Sequence, residues 1–268
     1  MKLPTGKTVV ITGATSGIGK ALRALYEQAG NVVINISRHA VEGPNDYSAD
    51  IGDKEKTEAV ARDIGRRFGK VDILINNAGY GQSGPLELIP DTEIRRITDV
   101  NFLGAVWLTR ALIKYMAPGS VIGYVCSVGS IIPMPYRTMY AATKAALGAL
   151  AFGMRMELKP LGIRVSALYV AAVKTDFSAH REKIQVSDGK YYKALSGTDR
   201  FIDDKGGKNA TGKLSSEAAA RKMARALARK RPKAEQLIAT PAYFLAYPLA
   251  KFSPGLAISI IEKVFGAC

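Results

Sequence analysis

Tyr140 and Lys144 stand four residues apart in a proline-free stretch rich in Ala, Met and Leu. The texture predicts a helix over 140–157, and on a helix that spacing places both side chains on one face. A fixed positive charge beside a phenol favours the phenolate, which suits Tyr140 to give or take a proton. Spacing alone carries little, because Tyr247 and Lys251 repeat it in the apolar tail. The surroundings separate the two pairs. Ser127 stands at a predicted strand end ahead of Tyr140, where its hydroxyl can bind a carbonyl oxygen, and Asn101 follows a helical stretch. Other chemistries lack their residues. His39 and His180 are the only histidines and share no metal-ligand spacing with Cys126 or Cys268, and no G-x-S-x-G exposes a nucleophilic serine.

A second constellation binds rather than reacts. The apolar run Thr8–Ile11 leads into Thr12-Gly13-Ala14-Thr15-Ser16-Gly17-Ile18-Gly19. A strand, a glycine turn and a helix start form an anion cradle: glycine lets the backbone approach, and free N–H groups with the helix dipole attract a pyrophosphate. The spacing is G-x-x-x-G-x-G rather than the commoner G-x-G-x-x-G. The next strand ends in Ser37-Arg38, with no carboxylate to hold a ribose 2′-hydroxyl. Ser37 and Arg38 suit a 2′-phosphate instead, so the expected cofactor is NADP(H).

Alternating strands and helices must position these groups. Apolar runs at Val32–Ile36, Val71–Ile75, Ser120–Val125 and Arg164–Leu168 read as buried strands. Lys20–Gln28, Lys54–Phe68, Asp91–Tyr115 and Tyr140–Glu157 read as the helices between them. This order predicts an α/β fold, a doubly wound parallel sheet of Rossmann type, in one domain spanning residues 1–268. Residues 178–214 are polar, glycine-bearing and without a period, and read as a substrate lid loop. Ser215–Arg231 reads as a basic helix, Leu237–Thr240 as a last strand, and 241–268 as an apolar aromatic extension broken by Pro248 and Pro254.

The pieces resemble, in order, those of the short-chain dehydrogenase/reductase family: TGATSGIG at 12–19, Asp50-Ile51, Asn76-Asn77-Ala78-Gly79, Asn101, Ser127, and Tyr140-Ala-Ala-Thr-Lys144. The resemblance implies that Tyr140 exchanges a proton with a carbonyl or alcohol oxygen held by Ser127. It implies that Lys144 binds the nicotinamide ribose and that Asn101 holds a relay water. Asp50 and Ile51 would line the adenine, Asn77, Ala78 and Gly79 would pack beside a ribose, and Val173 and Thr175 would meet the carboxamide. The cofactor would supply the hydride. One departure stands out: Val170-Ala171 replaces the Pro-Gly that commonly precedes V-x-T, which puts the shape of the nicotinamide-side pocket in question.

The expected substrate is a small carbonyl or alcohol compound, hydrophobic in character (steroid-, retinoid- or acyl-like), because Tyr80, Pro133, Met134, Tyr136 and Phe177 flank the matched motifs. A 3-oxoacyl or small-ketone reductase is the alternative within the family. The net charge of +15 raises a different class, a nucleic-acid or membrane binder with a non-catalytic cofactor site. Residues 178–234 carry 15 Lys/Arg against 6 Asp/Glu, with Arg221, Arg225 and Arg229 forming a ridge. No aromatics interleave with those arginines, so nucleic acid is not expected. Peripheral membrane contact through the basic helix and apolar tail remains open. A cytoplasmic location and a homodimer or homotetramer complete the expectation: two cysteines make no disulfide framework, no run is long enough to span a membrane, and the long helices resemble those the family pairs.

Overall fold

The β-branched apolar runs become the buried strands of one parallel sheet. The computed structural model describes residues 3–39, 43–132, 134–177, 179–186, 189–206 and 213–264. Its strands are β1 (Thr8–Thr12), β2 (Val32–Ser37), β3 (Asp46–Ser48), β4 (Ile73–Asn76), β6 (Val121–Ser127), β7 (Arg164–Val170) and β11 (Glu235–Ile238). They lie in the order β11-β7-β6-β4-β1-β2-β3, every pair parallel. Two short ladders stand apart: β5 (Gln82–Ser83) with β9 (Glu182–Lys183), and β8 (Val173–Lys174) with β10 (Leu214–Ser215).

Alternation along β1 feeds two cores. Val10 joins one cluster; Val9 and Ile11 join the other. On the first face the sheet packs against α2 (Lys54–Phe68), α4 (Gly104–Leu112) and α5 (Thr138–Glu157) through Ile64, Leu108 and Leu147. On the second it packs against α1 (Gly17–Gln28) and α7 (Ser216–Leu227) through Leu22, Tyr26 and Met223. Complete burial of each such aliphatic contributes about 1.5–3 kcal/mol. Local signals set the ends. Asp53 caps α2 by accepting from the Lys56 amide at 3.0 Å, Gly69 closes it with φ 69°, and Ser215 caps α7 through the Ala218 amide at 3.1 Å. The strand order reverses between β1 and β4, and at such a switch point the carboxyl ends of the strands open a ligand crevice.

The structure departs from the sequence reading in three places. The stretch 178–214 is not an irregular loop throughout: it contains α6 (Tyr192–Gly206), in which Leu195 and Thr198 are buried. The edge strand β3 has no apolar pattern and was not expected. The tail folds as α8 (Tyr243–Phe252) and α9 (Pro254–Val264); Pro248 lies inside α8, and Pro254 opens α9, where its missing N–H costs nothing. Helix α7 packs on the second core, and Tyr243 and Tyr247 of α8 pack on the first. Among the described residues no helix is long and apolar enough to cross a membrane.

Candidate active site

Ser127 ends β6, and Tyr140 and Lys144 lie in the first two turns of α5, so one β6–α5 connection brings the three together. Around Gly129, a point one bond from its Cα lies 3.3 Å from Ser127 Oγ and 3.9 Å from the Tyr140 ring. The Ser127 hydroxyl accepts from the Gly129 amide at 3.1 Å, which orients it. Asn101 sits in a single π-turn, Asp99–Leu103, between α3 (Asp91–Thr98) and α4. Its amide clamps the Tyr80 backbone in both directions at 2.9 Å and reaches Thr143 at 3.3 Å.

Asn101 and Lys144 meet at Gly79. A Cβ there would lie 2.9 Å from Asn101 Oδ1 and 3.2 Å from Lys144 Nζ, so only glycine admits both. Lys144 is buried, its ammonium donates to the Val125 carbonyl at 2.9 Å, and burial pulls its pKa down to about 8. Cys126, one residue away, is pushed up to about 12 by the same burial and is inert at neutral pH.

The glycine turn is braced from a distant strand. Thr12 Oγ1 accepts from the Asn77 and Ala78 amides at 2.9 and 2.8 Å, and Asn77 Nδ2 donates to the Thr12 carbonyl at 2.9 Å. A side chain at Gly19 would strike the Gly13 carbonyl and come within 2.7 Å of Asn77 Nδ2. Gly13 and Gly17 take left-handed φ of 71° and 50°. Thr15 and Ser16 are exposed, Ile18 packs on the core, and Ser16 makes no side-chain cap, which leaves the first N–H groups of α1 without one.

Flanking this cradle, Thr175 reaches within 3.3 Å of the Gly17 Cβ position, while Val173 pairs with Leu214 in the β8–β10 ladder. Ala171 causes no strain: its amide donates to the Ile238 carbonyl at 3.0 Å, and it packs on the core without a positive φ. The Ser37 hydroxyl is buried and donates to Asn35 at 2.7 Å, whereas Arg38 is exposed. Asp50 accepts from the Gly52 amide at 2.9 Å and, with Lys56, Arg96 and Val100, borders an open cleft beside the buried Ile51.

This architecture has known counterparts. The family described as short chain dehydrogenase matches residues 7–185. The chain is a short-chain dehydrogenase/reductase. It is 30% identical to the 3-ketodihydrosphingosine reductase of Bacteroides thetaiotaomicron over 65% of this chain and 66% of that protein. It is also 30% identical to dehydrogenase/reductase SDR family member 7B of Xenopus laevis over 95% of this chain and 80% of that one. Among solved structures, a short-chain dehydrogenase from Streptomyces avermitilis superposes with TM-score 0.81 at 27% identity, covering 97% of both chains. The 3-ketoacyl-(acyl-carrier-protein) reductase of Brucella melitensis, complexed with NADH, gives 0.69 at 28% identity over 87% of this chain and 96% of that one. Membership makes the chain an oxidoreductase that uses a nicotinamide cofactor.

Around this dehydrogenase's tyrosine, the expected wall residues fare unequally. Phe177 places its ring 5.9 Å from that of Tyr140, and Met134 is part-buried. Tyr136 has a left-handed φ of 58°, the one such non-glycine among the described residues, and its carbonyl accepts from Gly84 at 2.8 Å. The Tyr80 hydroxyl is buried without a partner, and burial pushes its pKa up to about 12. Pro133 lies outside the described residues. Sequence reasoning passed over Arg137 and Arg181. The Arg181 side chain is wholly buried and pairs with Asp199 at 2.9 Å. The only available signal was a cation three residues before Tyr140.

Proposed function

We propose that this dehydrogenase interconverts a hydrophobic ketone or aldehyde and its alcohol with NADP(H), Tyr140 serving as the proton donor or acceptor. The observation that carries the proposal is the convergence of Ser127 and Tyr140 on one point beside Gly129, with Lys144 and Asn101 joined at Gly79. The residues present fit the cofactor. The α1 N-terminus lacks a side-chain cap, the Gly19 position excludes a Cβ, and Arg38 makes no ion pair among the described residues. The N–H groups at 17–19 would hold the pyrophosphate and Arg38 the 2′-phosphate; the Ser37 hydroxyl is already committed to Asn35. The cofactor, when bound, supplies or accepts a hydride.

The chain's residues do the rest. Ser127 Oγ binds the substrate oxygen, and the Tyr140 hydroxyl delivers a proton to it in reduction or removes one in oxidation. Lys144, buried on the same face of α5, would bind the nicotinamide ribose. Phe177, Met134 and Tyr136 offer apolar surface, and a relative named 3-ketodihydrosphingosine reductase acts, by that name, on a long-chain ketone.

Arg38→Asp tests the cofactor assignment. A charged arginine–phosphate contact is worth about 1.5–3 kcal/mol, so the NADPH/NADH ratio of kcat/KM with a hydrophobic ketone should fall about 10- to 100-fold. An unchanged ratio removes the 2′-phosphate from Arg38.

A further inference from the structure

Arg137 stands at the N-cap of α5 with its guanidinium carbon 4.5 Å from the centre of the Tyr140 ring. Its Nη2 lies 3.1 Å from the position a Gly81 Cβ would take, as does Phe177 Cε1, with Arg181 Cβ at 3.2 Å. Arg137, Phe177 and Arg181 thus close around the bare Cα of Gly81, next to the reacting phenol, with no room there for even a methyl group. Among the described residues, the ionisable groups facing this guanidinium are Tyr140, Arg181 and Asp199. Asp199 pairs with Arg181 at 2.9 Å, so that carboxylate is taken. Among the described residues Arg137 has no hydrogen bond or ion pair to its guanidinium, its buried Nε included. The neighbouring Gln82 is 1% exposed, with both amide atoms also unpartnered.

A part-buried guanidinium with five donors and no acceptor is costly to hold, and protein interiors pair such groups. The Tyr140 ring offers its face to the charge but no acceptor in line with the N–H groups. A planar or tetrahedral oxyanion offers both.

We propose that Arg137 binds an anionic group of the substrate, a carboxylate or phosphate, placed a few bonds from the carbonyl. The substrate is then an amphiphilic oxo acid or oxo phosphate, not a neutral ketone. The proposal rests on the oxidoreductase reading above and narrows its substrate class. The positive excess of the lid and the following helix agrees with it, since a one-sign field raises the encounter rate of anions.

The test compares 4-oxopentanoate, 5-oxohexanoate and 4-oxononanoate with their methyl esters at saturating NADPH. The wild-type protein should prefer each acid to its ester by at least about tenfold in kcat/KM. In Arg137→Gln that preference should fall about 10- to 100-fold, mainly through KM of the acid, while Arg137→Lys should retain an intermediate preference. Two results overturn the proposal: an acid-to-ester ratio that Arg137→Gln leaves unchanged, or a shifted pH profile with that ratio intact, which would make Arg137 an aid to the phenolate only.

A second measurement covers a variant that does not fold. Calorimetric titration of Tyr140→Phe, loaded with NADPH, should detect the oxo acids and not the esters, with affinity falling as salt is raised. Acids that bind without being reduced by the wild-type protein would refute the oxidoreductase reading and leave the anion site standing. Esters that are reduced while acids neither bind nor react would refute the anion site alone.

Discussion

Lys144→Met should make the ligand-free protein more stable while abolishing its activity. The lysine is 4% exposed, and its pKa drops from the ordinary 10.5 to about 8 because burial disfavours the charged form. At about 1.4 kcal/mol for each pH unit, holding the charge at pH 7 costs about 3 kcal/mol. Methionine fills a similar volume without charge but loses the 2.9 Å bond to the Val125 carbonyl, a loss of about 1 kcal/mol. The net gain at pH 7 is about 2 kcal/mol. The pH dependence has a definite sign. Between pH 8 and 10.5 the unfolded chain holds a proton that the folded chain has released, so wild-type stability rises with pH through that window. The advantage of the methionine variant is therefore full below pH 8 and gone by about 10.5. Urea denaturation of both ligand-free proteins at pH 7, 9 and 10 measures it. A variant less stable at pH 7, or a gap that does not change with pH, would refute the reasoning.

Tyr140→Phe should lower kcat by about 10²- to 10⁴-fold, the usual share of general acid–base catalysis, while the NADPH dissociation constant stays near the wild-type value; stopped-flow turnover and fluorescence titration report the two separately. Gly19→Ala should weaken NADPH at least about tenfold and cost about 1–3 kcal/mol of stability, because its methyl meets the Gly13 carbonyl and lies 2.7 Å from Asn77 Nδ2; cofactor titration and thermal melting would both have to move.

Legibility from sequence followed the range of the interactions. The strands that carry the crevice were legible because full burial leaves an unbroken apolar run, as at Thr8–Thr12 and Val121–Ser127. The cradle was legible because glycine is demanded by backbone geometry that shows in residue type. The bracing of that cradle by Asn77 and Thr12 spans 65 residues and leaves no local trace. Arg137 and Arg181 were missed for a related reason: their meaning comes from the groups each faces across the fold, such as Asp199 beside Arg181. The edge strand β3 has no apolar run or alternation, the pattern that marks an element in sequence.

The strand–helix–strand arrangement of β6, α5 and β7 has a consequence for how the site comes into being. Ser127, Tyr140 and Lys144 lie within a single stretch whose two strands pair in register from Val121–Arg164 to Ser127–Val170. The lysine ties α5 back to β6 through Val125. The reacting groups are thus set by nearby chain, while the cofactor cradle waits on a strand far along the sequence. The Gly79 junction, where Asn101 meets Lys144, is the seam that joins the cradle to this locally wired stretch.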